Sequence, residues 1–90
     1  MITFKLPTQL RALAGGQKSV EVSATTLGDA FRQLDAAAPM IRSQIFDEAG
    51  NVRTFVGVFV NAQQLTSLSD DSRPLHPGSQ VSIVMAVAGG

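Results

Sequence analysis

Hydrophobic and polar residues alternate over Met1-Ile2-Thr3-Phe4-Lys5-Leu6, with Ile2, Phe4 and Leu6 on one face and Thr3 and Lys5 on the other. A period of two predicts a half-buried strand, and Pro7, which has no backbone donor, closes it. Thr8 to Ala14 reads as a short helical turn with Leu10 and Leu13 inward, ended by Gly15-Gly16. Lys18 to Val22 alternates again, with Val20 and Val22 inward against Ser19 and Glu21. The first 22 residues therefore read as a hairpin with a helical turn in its connection.

The period then changes. Leu27, Ala30, Phe31 and Leu34 recur at i, i+3, i+4 and i+7, one apolar stripe on a helix. Thr26, with Asp29 three residues on, resembles a capping box, and Pro39 ends the helix. Met40 to Phe46 reads as a second short helical turn with Ile41 and Ile45 inward, and Asp47 to Asn51 as a loop. Thr54 to Val60 is rich in β-branched and aromatic residues and predicts a strong strand. Asn61-Ala62 reads as a turn, Gln63 to Leu68 as a short edge strand and Ser69 to Leu75 as a polar connection. His76-Pro77-Gly78-Ser79 has the signature of a type II turn, and Gln80 to Met85 is the last strand.

The resulting order is β-β-α-β-β-β, an α+β chain with one main helix for four to five strands of a mixed sheet. A single helix covers one face of such a sheet, so the other meets solvent or a partner. The first two strands have polar outer faces. The third does not: with Val56, Val58 and Val60 inward, Phe55, Gly57 and Phe59 share the other side. Phe55, Phe59 and Val84 would then form an exposed apolar patch beside the C-terminus, a feature that marks interaction surfaces. Two alternatives stay open at this level, an opposite register and a loop covering the patch.

Composition narrows the functional classes. Ninety residues make one domain, burying on the order of 60% of the unfolded surface. No apolar run approaches the roughly 20 residues of a membrane span, and no signal-peptide pattern opens the chain, so the expected location is the cytoplasm. Seven basic and seven acidic residues are scattered without a run, which predicts no nucleic-acid partner. With no cysteine, thiol catalysis, disulfides and iron–sulfur ligation by this chain are excluded.

Catalytic motifs fail on their own chemistry. Gly15-Gly16-Gln17-Lys18-Ser19 lacks the glycine that a phosphate loop needs directly before Lys-Ser. His76, the one histidine, cannot make a zinc site without cysteine, and no metal ligand set is expected. A triad of Ser79, His76 and Asp70 or Asp71 would have its histidine fixed in a tight turn. Asp47-Glu48 and Asp70-Asp71 read as solvated loop carboxylates.

One stretch remains. Ala86-Val87-Ala88-Gly89-Gly90 follows the last strand directly and ends on a bare diglycine. Glycine lacks a Cβ and lets the backbone enter slots closed to other residues. Extended, these five residues reach roughly 17 Å, enough to carry the Gly90 carboxylate into another protein's active site. The plain alternative is a frayed terminus.

Several segments together resemble the ThiS/MoaD family of ubiquitin-like sulfur carriers, over essentially all of the chain. They are Leu10-Arg11-Ala12-Leu13-Ala14-Gly15-Gly16 after the first strand, the helix opening Thr26-Leu27-Gly28-Asp29, Val60-Asn61, the approach Leu75-His76-Pro77-Gly78-Ser79-Gln80-Val81, and the terminal Gly89-Gly90. The ending Ala86-Val87-Ala88-Gly89-Gly90 and the segment Gly15-Gly16-Gln17-Lys18-Ser19-Val20 are most similar to CysO-type carriers, which supply sulfide for cysteine synthesis.

The resemblance implies a β-grasp, ubiquitin-like domain over residues 1–85 and a flexible, extended tail over residues 86–90. It implies a protein that is not itself an enzyme and binds no cofactor. An E1-like adenylyltransferase/sulfurtransferase would use ATP to adenylate Gly90 and convert it to a thiocarboxylate. Ala86, Val87, Ala88 and Gly89 would enter partner active sites, and Phe55, Phe59 and Val84 would dock the body. The sulfur acceptor would be a cysteine-synthase-like or molybdopterin-synthase-like enzyme, with the thiamine pathway as a further possibility. With nothing after Gly90, no proteolytic trimming is expected. A ubiquitin-like modifier joined to target lysines and a plain interaction module are the competing readings.

Overall fold

The computed structural model describes residues 1–66 and 73–85. The N-terminal alternation forms β1 (Ile2–Lys5), which pairs antiparallel with β2 (Ser19–Val22) from Ile2 opposite Val22 to Lys5 opposite Ser19. Between them lie the helical turn α1 (Thr8–Arg11) and a 3-10 turn at Ala12–Ala14. Gly15 then takes the left-handed conformation at φ 68°, a region that costs glycine nothing, and Gly16 N–H donates to Arg11 O at 2.7 Å. The predicted hairpin and its interrupted connection are both present.

The main helix, α2 (Leu27–Ala37), begins as its capping chemistry requires. Thr26 is extended, and its Oγ1 accepts from Asp29 N–H at 3.3 Å, satisfying one of the orphan donors of the first turn. The stripe Leu27, Ala30, Phe31 and Leu34 is buried against the sheet. Phe31 stands between Phe4 and Phe46, with ring centroids 5.1 and 5.2 Å away and both contacts edge-to-face. One aromatic row thus ties β1, α2 and the end of α3 (Ile41–Ile45) into a single core.

The remaining strands are β3 (Val56–Val60), β4 (Gln63–Leu65) and β5 (Gln80–Met85), and the five-stranded order is β2-β1-β5-β3-β4. Only the central pair, β1 with β5, is parallel; every other pair is antiparallel. This mixed sheet crossed on one face by α2 is the expected β-grasp architecture.

Two predicted boundaries are corrected. Thr54 and Phe55 form a turn before β3, closed by Val56 N–H donating to Arg53 O at 3.0 Å, so the strand begins at Val56. High strand propensity at Phe55 yields there to a hydrogen bond that uses the Val56 donor locally. The edge strand predicted to reach Leu68 ends at Leu65; Ser67 and Leu68 lie outside the described residues.

Candidate functional site

The last strand is aligned by its entry turn and by Asn61. In His76-Pro77-Gly78-Ser79 the Ser79 N–H donates to His76 O at 3.0 Å with Gly78 at φ 85°, as a type II turn requires. Asn61, left-handed at φ 56°, then holds Gln80 twice. Its N–H donates to Gln80 O at 2.7 Å and its Oδ1 accepts from Gln80 N–H at 3.0 Å. These bonds set Val60 opposite Val81, and the register carries on to Gly57 opposite Val84 and Val56 opposite Met85.

That register decides which side chains face outward. Val56, Val58 and Val60 are buried beside Val81 and Ile83, so the residues between them point away from α2. Val84 is 50% exposed and Phe55 46% exposed, while Phe59 is only partly exposed. The reason lies at Gly57. A Cβ there would stand 2.9 Å from Val84 Cγ2 and 3.1 Å from Phe59 Cε1, so both side chains lean over the glycine. The opposite register is thereby excluded for Val84, and among the described residues no loop covers Val84 or Phe55. Phe55 lies in the turn before the strand and not in the strand itself.

The patch lies at the end of the sheet where the chain leaves it, since β5 finishes at Met85 beside Val56, the first residue of β3. Ala86, Val87, Ala88, Gly89 and Gly90 follow, and all five lie outside the described residues. The tail root is therefore flanked by an apolar outer face at Gly57, Phe59 and Val84.

A second feature adjoins the root, which sequence reasoning missed. Parallel strands run out at the same end, and β1 stops at Lys5 opposite Ser82, leaving Ile83, Val84 and Met85 with no β1 partner. Pro7 turns the chain away into α1. The result is an open groove of about 680 Å³ whose charged lining is Lys5, Arg11 and Lys18. These cations stand apart along the chain, so no run signals them; the hairpin return that puts Lys5 opposite Ser19 gathers them.

The motifs set aside on sequence grounds occupy structural positions. Ser79 is buried just before β5, and His76 is exposed in the turn. Asp70 and Asp71 lie outside the described residues. Asp47 Oδ1 accepts from Ala49 N–H and Asn51 N–H at 2.9 and 3.0 Å, which holds its own loop. Among the described residues no group of three or more histidines and carboxylates could hold a metal ion, and no helix is long and apolar enough to cross a membrane.

Comparison with known proteins gives a consistent set of relatives. Residues 4–90 match the ThiS family. The sulfur carrier protein CysO of Mycobacterium tuberculosis is 35% identical over 91 residues, covering 99% of this chain and 98% of the relative. Its crystal structure superposes with a TM-score of 0.82 and 32% identity, over 97% of this chain and 100% of that one. A chain of the Amycolatopsis orientalis BexX/CysO complex gives 0.81 at 27% identity with both chains fully covered. SAMP1 of Haloferax volcanii gives 0.76 at 25% identity, over 99% and 98% of the two chains.

Proposed function

The chain belongs to the ThiS family, and from that premise we propose that it is a sulfur carrier whose reacting atom is the carboxyl carbon of Gly90. The observation that carries this reading is where the last strand ends. A strand in the centre of the sheet ends at Met85 beside an outward apolar patch, and in the sequence it is followed by five small or β-branched residues, the last two Gly89-Gly90. The naming of the mycobacterial relatives as sulfur carrier proteins supports the same role.

The chemistry divides between carrier and partners. A carboxylate at neutral pH is a poor electrophile. An E1-like enzyme would bring ATP to it; a Gly90 oxygen attacks the α-phosphorus, pyrophosphate leaves, and an acyl-adenylate results. A sulfur donor at the oxidation level of hydrosulfide then attacks the acyl carbon, AMP leaves with the C–O bond, and a proton goes to solvent. The product is a Gly90 thiocarboxylate; its sulfur would bond to an electrophilic carbon of a biosynthetic acceptor, and cleavage of the acyl–sulfur bond, with water supplying the oxygen, would leave the sulfur on the acceptor and return the Gly90 carboxylate. Cysteine synthesis is the preferred destination because the relatives are CysO proteins; molybdopterin or thiamine synthesis would use the same chemistry. The carrier contributes the carboxylate, reach and a docking face, and its lack of cysteine accords with sulfur carried at the terminus.

A second reading, a modifier joined through Gly90 to target lysines, has the likeness to SAMP1, a small archaeal modifier protein, in its favour. Intact mass spectrometry after incubation with the E1-like enzyme, ATP and sulfide separates the two. The expected product is heavier by the difference between sulfur and oxygen, and absent when Gly90 is deleted. Amide adducts on lysines of other proteins would replace the carrier reading by the modifier. An unmodified mass would remove the carrier reading and leave the modifier or a plain interaction module.

A further inference from the structure

The groove beside the tail root has a charge that the fold does not use. It is lined by three of the seven cations of a chain with formal net charge zero, and by none of the described carboxylates. Two cations elsewhere lie beside carboxylates: Arg42 Nη1 is 3.0 Å from Asp35 Oδ2, and Arg32 Nε 3.9 Å from Asp29 Oδ1. Lys5 and Lys18 are exposed with no carboxylate within 4.0 Å among the described residues. Arg11 Nε donates to Leu6 O at 3.2 Å, which holds its guanidinium at the groove wall. Glu21 is the one acid on the outer face of the described strands, and it pairs with Thr3 farther along β2.

Position gives this charge a direction. A tail that reaches roughly 17 Å must have its root at the mouth of whatever channel it enters. The body surface around Met85 is then pressed against the channel rim. The apolar face at Phe59 and Val84 flanks that root, and Val84 also lines the groove, together with Leu6, Ile83, Met85 and the three cations. Like charges held together on one surface repel, which costs stability and is relieved when an opposite field meets them.

We propose that the groove formed by Lys5, Arg11 and Lys18 docks an acidic segment of the protein that receives the tail, at the rim of its channel. This rests on the carrier reading above. The apolar flank supplies contact area, whereas the groove accelerates the encounter and sets the carrier's rotation about its tail. Charges at an interface rim act chiefly on association rate and its salt dependence. Three cations are too few and too local for a nucleic-acid track, so the fitting occupant is a protein carboxylate cluster.

The test is the association rate of the full chain with its purified E1-like enzyme, measured by stopped flow across a salt series. Lys5→Glu/Lys18→Glu is compared with Arg32→Glu/Ala36→Glu/Ala37→Glu, which makes the same change in net charge on α2, away from the groove. The groove variant is expected to associate ~10-fold more slowly at low salt and to lose most of its salt dependence. The α2 variant is expected to stay near the wild type. Equal rates for the two variants at every salt concentration overturn the proposal, as does a groove variant that matches the wild type. Should the double variant not fold, Lys18→Ala carries the comparison, with a smaller slowing expected. Normal conversion of Gly90 in the wild type together with equal rates would end the groove proposal and leave the carrier reading standing. A wild type that neither binds nor is converted removes both.

Discussion

A methyl group on Gly57 would lie 2.9 Å from Val84 Cγ2, closer than Cβ contacts allow, and 3.1 Å from Phe59 Cε1. Gly57→Ala therefore displaces two side chains of the outer patch without touching the core. Alanine recovers about 0.5–1 kcal/mol of strand entropy, which offsets the clash, so thermal stability is expected to change little. Affinity for the activating enzyme is expected to fall, because the patch is reshaped. Val84→Asp tests the same surface by charge: Val84 is half-exposed, so the fold is expected to survive while docking weakens by about 1–2 kcal/mol. A titration showing unchanged affinity for Val84→Asp at unchanged melting would remove the patch from the docking face. Phe59→Ala is the less clean probe, since Phe59 is partly buried over Gly57 and its loss costs packing as well as contact.

At the scale of elements, the decisive piece is the turn that aligns β5. Asn61 combines a left-handed backbone with two hydrogen bonds to Gln80, one from its N–H and one to its side chain. Asn61→Gly keeps the conformation and loses only the side-chain bond, at an expected cost of about 1 kcal/mol. Asn61→Ala loses the same bond and, unlike glycine, keeps a Cβ at positive φ without the polar side chain that lets asparagine tolerate it, and is expected to cost about 1 kcal/mol more than Asn61→Gly. Urea denaturation of both variants checks the order; equal stability would mean that the turn does not hold the register. Several elements are legible in the amino-acid order because their signals are local. The Thr26 cap, the α2 stripe, Gly15-Gly16 and Pro77-Gly78 each specify conformation through neighbours a few residues away. The start of β3 departs from expectation for the converse reason. Phe55 carries strand propensity, but the Val56 donor is taken by Arg53 O in a turn that propensity does not register.

Over the whole molecule, one aromatic row holds helix to sheet. Phe31 touches Phe4 and Phe46 and is 1% exposed, so Phe31→Ala leaves a cavity at the centre of a small core. The expected cost is about 3–5 kcal/mol, a large part of the stability available to a domain of this size. The variant is expected to be substantially unfolded at 37 °C by circular dichroism, whereas Gly90 deletion is expected to melt with the wild type. That contrast would separate the body, whose packing sets stability, from the terminus, where the proposed reaction takes place.

Element order and the diglycine ending follow from the amino-acid order alone, because periodicity, caps, turn residues and terminal composition are properties of short segments; the β-grasp fold is implied by the resemblance those segments carry together. The same patterning limits the outer surface to two faces of β3 and β5 without choosing between them. The choice is made in three dimensions, since a strand's inward face depends on what packs against it, and α2 with the Asn61 register puts Val56, Val58 and Val60 inside. The basic groove is decided there as well. Lys5, Arg11 and Lys18 are isolated charges in the chain, and they share one groove because a hairpin folds back on itself and a parallel β5 ends beside β1. Charge proximity is a distance in space, and no local pattern encodes it.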